Sequence, residues 1–196
     1  MSKKLVAIAL VLMLLMTGVV YATGFVGSVR TGDLTVVKGY EAQNGVEIGA
    51  GFAVNTQVET ELSKEVYDKI AAFLALSDVK AIEYFPLEVQ EKIGEILPED
   101  MDAAVLSFYE FMPLDVVNYE VTYGDVKVTF QFPTKFEQEQ TIVAVVGIDN
   151  GTEIEWTALT AEATEDGDVE VEFTQEVLEA ITGYNAVMAI LGDTVE

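Results

Sequence analysis

Apolar and polar residues follow three patterns in turn along this chain. Leu5 to Val20 is apolar and carries no charge. Between residues 63 and 97, apolar side chains recur every three or four positions. Beyond about residue 104 they alternate with polar ones. Helices repeat every 3.6 residues and strands every two, so each pattern predicts a different structure.

The first run follows Met1-Ser2-Lys3-Lys4 and leads into Val20-Tyr21-Ala22, which places small residues where a signal peptidase reads them. That order predicts a secretory signal peptide over residues 1–22. The run is shorter than the roughly 20 residues of a comfortable membrane span, so an uncleaved anchor is the lesser alternative. No second run of that length follows, and no stable membrane insertion is expected after cleavage.

Residues 23–103 read as a mixed part with two amphipathic helices. Val66, Ile70, Phe73 and Leu74 form the apolar face of a helix over 63–76, with Ser63 as its N-cap and Glu65 in its positive first turn. Val89, Ile93, Ile96 and Leu97 form that of a helix over 86–97, opened by Pro86 and stopped by Pro98. Before them, Leu34 to Gly39 and Val46 to Ile48 are strand candidates around the turn residues Asn44-Gly45.

Residues 104–196 predict about seven short strands. Val117, Tyr119, Val121 and Tyr123 alternate with polar residues, as do Val126, Val128, Phe130 and Phe132, with Gly124-Asp125 between them as a hairpin turn. Thr141 to Ile148 is the continuous apolar run of a strand buried on both faces. Asn150-Gly151 is a strong hairpin signal, and Glu165-Asp166-Gly167 is another. Between and after these turns, Ile154, Trp156 and Ala158 alternate, as do Val169, Val171 and Phe173. Thr174 caps a short helix over 175–182, and Ala186 to Leu191 forms a last strand. The predicted class is α+β, an N-terminal helical or mixed part followed by an antiparallel Ig-like β-sandwich. A barrel gives the same periodicity, and whether the two parts fold independently stays open.

Composition narrows the chemistry. There is no cysteine, so neither a disulfide nor a cysteine-linked lipid is available. There is no histidine, which excludes Ser-His-Asp and Cys-His nucleophile systems and imidazole metal sites. Against 10 basic residues stand 34 acidic ones, for a net charge of −24, which argues against nucleic-acid binding. Catalytic residues and a bound cofactor are not expected. Calcium is the one ion the acidic turns could hold, through Asp149, Asp166 and Asp168, although neither turn matches an EF-hand loop. Tyr109, Tyr119, Tyr123 and Trp156 could stack on a sugar, but each sits on an apolar strand face where core packing is the simpler role. Paired carboxylates 5 to 9 Å apart could hydrolyse a glycoside, and nothing in the pattern marks such a pair.

The runs Phe130-Gln-Phe-Pro-Thr134, Ile142-Val-Ala-Val-Val-Gly147, Glu155-Trp156-Thr157 and Asp166-Gly167, with Glu83-Tyr84-Phe85-Pro86 and Tyr109 to Pro113 before them, resemble uncharacterised exported, cell-surface domains of Gram-positive bacteria. The resemblance spans residues 80–191. It implies export and a surface role and assigns no site residues. The expected protein is a secreted or extracytoplasmic, non-enzymatic binding or assembly module of the cell envelope, with an envelope protein or polysaccharide as partner. A carbohydrate-binding module and a histidine-free glycan hydrolase are the alternatives.

Overall fold

The computed structural model describes residues 35–57, 59–138, 140–182 and 184–193. The expected signal peptide lies outside them. Among the described residues, eight strands and three α-helices follow in chain order, besides short 3-10 turns. They are β1 (Val36–Ala42), β2 (Ala53–Asn55), α1 (Glu61–Leu74), α2 (Leu87–Ile96), β3 (Ser107–Val117), β4 (Val126–Gln131), β5 (Ile142–Asp149), β6 (Ile154–Ala163), β7 (Val169–Phe173), α3 (Gln175–Ile181) and β8 (Asn185–Gly192).

All eight strands join one antiparallel sheet in the order β1-β4-β7-β6-β5-β8-β3-β2. The antiparallel, β-rich half of the expectation is therefore present. The two facing sheets of an Ig-like sandwich are not seen in this order. The sheet curls into a nearly closed barrel instead, and every strand sends side chains into one interior core. Its two edges come together at β1 and β2. The Tyr40 hydroxyl on β1 accepts from the Val54 amide on β2 at 3.0 Å, and the Thr56 hydroxyl donates to the Thr35 carbonyl at 3.0 Å. These two bonds occupy one amide of β2 and the carbonyl just before β1.

Strand alternation creates a second core on the outer face. Ile142, Ala144 and Val146 of β5 point into the barrel, while Val143 and Val145 point out. β8 divides likewise, with Ala186, Met188 and Ile190 inside and Val187, Ala189 and Leu191 outside. The outer residues are covered by Leu62, Val66 and Ile70 of α1 and by Val89 and Ile93 of α2. The predicted helices thus cover one face of the sheet, and β1 and β2, from the same part of the chain, belong to the sheet itself.

Several local expectations change. α1 begins earlier than its apolar stripe suggested, because Thr60 is the cap. Its hydroxyl accepts from the Ser63 amide at 3.0 Å, and the Ser63 hydroxyl returns a bond from the Thr60 amide at 2.9 Å. Ser63 is therefore the reciprocal partner in a capping box rather than the N-cap. No strand forms at Val46 to Ile48, since side chains take the backbone groups there. The Asn44 carbonyl oxygen accepts from the Val46 amide, and the Tyr123 hydroxyl accepts from the Gly49 amide.

The strand expected over Val117 to Tyr123 also fails. Asn118 adopts a left-handed conformation at φ 54° and stops β3, and Val121–Tyr123 turns as a 3-10 helix. Gly124-Asp125 consequently links strands that are not neighbours, and six strands rather than seven lie beyond residue 104. The other two hairpin turns form, β5 to β6 around Asn150-Gly151 and β6 to β7 around Gly167.

Candidate functional site

An open groove of about 730 Å³ lies between α1, the turn Ala81–Tyr84 and the β5–β6 hairpin. Trp156, Tyr84 and Phe85 form its aromatic wall, and Glu65, Asp149 and Glu153 contribute carboxylates. Lys69, also in the groove, pairs with Glu65 at 2.6 Å.

Each part has a local cause. Gly147 on β5 lies directly opposite Trp156 on β6. A β-carbon at 147 would come within 2.7 Å of the Trp156 ring and 2.9 Å of Ile154, so glycine leaves the space the indole occupies. The indole then meets Phe85 edge-on at 5.2 Å between centroids and Tyr84 at 6.0 Å, geometries that suit the ring quadrupoles. Gln90 of α2 holds that turn by donating to the Phe85 carbonyl at 2.8 Å. The hairpin is shaped by its own side chains. Asp149 accepts from the Gly151 amide at 2.8 Å, and Asn150 accepts from the amides of Thr152 and Glu153. Gly151 takes the positive φ, at 86°, that closes the turn.

The electrostatics favour a neutral aromatic wall beneath an acidic rim. Burial, reinforced by the nearby Glu65 carboxylate, pushes the Tyr84 hydroxyl up to about 12. The phenol therefore stays protonated at any physiological pH. Such a surface can stack on a flat or apolar ligand face while its carboxylates accept hydrogen bonds from ligand donors.

The residues predicted from sequence are dispersed. Trp156 lies in the groove, half-buried. Tyr119 and buried Tyr123 pack around Phe52 near the seam of the barrel, and the Tyr119 hydroxyl donates to the Gly124 carbonyl at 2.7 Å. Tyr109 leans on Phe136 and donates to the Asp193 carbonyl at 2.7 Å. The four rings form no common row.

The acidic turn residues are equally separated. Asp149 precedes β6, while Asp166 and Asp168 follow it, and ten residues of strand extend roughly 33 Å. Asp166 is exposed. Asp168 is 4% exposed and clamped between Lys38 at 2.8 Å and Lys135 at 2.5 Å. Burial alone would raise its carboxyl, but hydrogen bonds and charge from Lys135 and Lys38 prevail and hold it below the usual range. Among the described residues, no group of three or more Asp or Glu is arranged to hold a metal ion. Also among them, no helix is long and apolar enough to cross a membrane.

Tyr84, Glu65 and Lys69 escaped the sequence reading as site residues. The aromatic cluster Glu83-Tyr84-Phe85-Pro86 was a visible signal, whereas the meeting of α1 with a hairpin some eighty residues later was not. In comparisons with known proteins, no family model, curated protein or solved structure matches the chain.

Proposed function

We propose that the protein is an exported, non-enzymatic binding or assembly module of the cell envelope that engages its partner through the Trp156 groove. The observation that carries this reading is the joining of an aromatic wall to an acidic rim in one open surface cleft. The apparent export signal and the resemblance to cell-surface domains support the location. The reading holds equally whether the curled sheet is classed as a barrel or as a relative of the Ig-like sandwich.

The groove carboxylates favour binding over catalysis. Glu65 pairs with Lys69, Asp149 bonds within its own turn and Glu153 is exposed on the rim, whereas a glycan hydrolase needs a catalytic acid in a partly apolar cleft facing a second carboxylate. Sugar binding is the second reading, favoured by the half-buried indole of Trp156 in a cleft with hydrogen-bonding carboxylates.

The test is retention of purified protein on native cell envelope, with cross-linking and identification of what is held. Trp156→Leu together with Glu65→Lys should lower retention by about tenfold, the loss of one or two good contacts. Asp168→Asn, far from the groove, should not. Equal retention of all three proteins would reject the groove as the binding surface.

A further inference from the structure

β6 is hydrogen-bonded to β5 along Ile154 to Ala161, but to β7 only at Ala161, Glu162 and Ala163. β7 leaves β6 after Val171 but remains paired with β4 through Phe173. Its departure has a visible anchor. The amide of Gln175, the first residue of α3, donates to Asp125 beside β4 at 2.7 Å and draws the end of β7 to that side. Among the described residues, no strand pairs with the second edge of Ile154 to Thr160. The sheet's two terminal edges, β1 and β2, meet through side-chain bonds, and this slit within the barrel wall is a further place where strand pairing is missing among the described residues. An edge of this kind is a ready template for an added strand.

We propose that this edge accepts an extended, basic segment of a partner protein as an additional strand. The proposal rests on the groove as the binding surface and names the partner, since Ile154 and Trp156 belong to both groove and edge. Charge selects the occupant. Glu153 and Glu155 stand two residues apart, on one face, where the open stretch begins; both are exposed, and Glu155 also accepts from the Asn150 side-chain amide at 2.5 Å. A second copy of a chain with net charge −24 would bring like charges together along the edge, whereas a segment with lysine or arginine at alternate positions would meet carboxylates. One cation already samples the position. Lys92 of α2 reaches to donate at 3.2 Å to the hydroxyl of Thr157, which alternation places on the same side of β6 as the inward Leu159 and Ala161. The partner's basic residues would take its place.

The test is backbone amide exchange across β6 in the purified protein, alone and with a pool of short peptides carrying lysine at alternate positions and varied apolar residues between. In the free protein, amides of Ile154 to Thr160 that point away from β5 should exchange freely. The pool should slow them by about tenfold and shift Trp156 emission, because each added backbone bond closes an open donor. Methylation of alternate peptide nitrogens should remove the protection, a glutamate-bearing pool should give none, and Lys92→Met should strengthen binding. Amides already protected in the free protein, or unaffected by the lysine pool, would overturn the proposal. Protection that rises with protein concentration alone would assign the edge to a second copy and also overturn it. An emission shift that survives nitrogen methylation, without β6 protection, would reject strand addition and leave the groove reading standing.

Discussion

At its C-terminal end β6 runs into a turn whose Asp168 is buried between Lys38 and Lys135. At its N-terminal end it leaves a turn whose Asp149 and Asn150 side chains bond mainly within the hairpin. Both turns are acidic and both contain a glycine of positive φ. At the first, charge pairs across distant segments join β1, the loop around residue 135 and the start of β7. At the second, β7 has gone, the edge is open and an aromatic groove adjoins it. The same residue types thus fasten the fold at one end of a strand and stay at the surface at the other, according to whether a counter-charge is brought within reach.

The comparison can be broken most strongly at the clamp. Asp168→Ala leaves two lysines that are half in water, so the loss is less than for a fully buried pair, about 2 kcal/mol by urea unfolding. The effect has a signed pH dependence. The folded Asp168 carboxyl titrates below its unfolded value near 3.9, so its stabilisation is complete above that value and fades as pH falls through the lowered one. The difference in thermal midpoint between wild type and Asp168→Asn should be widest near neutral pH and close in strong acid.

Gly147→Ala comes next. Its new methyl meets Trp156 and Ile154, and we expect about 1.5 kcal/mol of destabilisation with a red shift of Trp156 emission as the indole is displaced toward water. Because the chain has a single tryptophan, that signal reports on the groove alone. The smallest effect belongs to the open end. Glu153→Gln should change stability by less than about 0.5 kcal/mol in the same unfolding assay, as an exposed rim residue does.

What could be read from sequence was local. The stripes Val66-Ile70 and Val89-Ile93 located two helices, and the run from Thr141 to Ile148 located β5, because helix and strand periods are written in neighbouring residues. Asn150-Gly151 and Gly167 marked real turns because positive φ is a property of the residue itself. Strand order was not legible. Nothing near Val36 shows that β1 pairs with β4, or that the barrel closes through a Tyr40 hydroxyl. Asn118 misled for a different reason. Its place in an alternating pattern favoured a strand, yet its tolerance for left-handed backbone ended one.

The site divides in the same way. Trp156 was identifiable as a candidate from its residue type. Its groove was not, since Glu65 and Tyr84 arrive from other elements. Asp168 looked like an ion ligand because its turn is acidic, and Lys38, 130 residues away, gives it another role.

The most direct measurement is Trp156 emission during titration with native cell-envelope material, in wild type and in Asp168→Asn. A saturable blue shift in both proteins, as the half-buried indole loses water, is the predicted result. Envelope binding that leaves the emission unchanged would contradict the assignment, because the protein would then be using a surface other than the open end of β6.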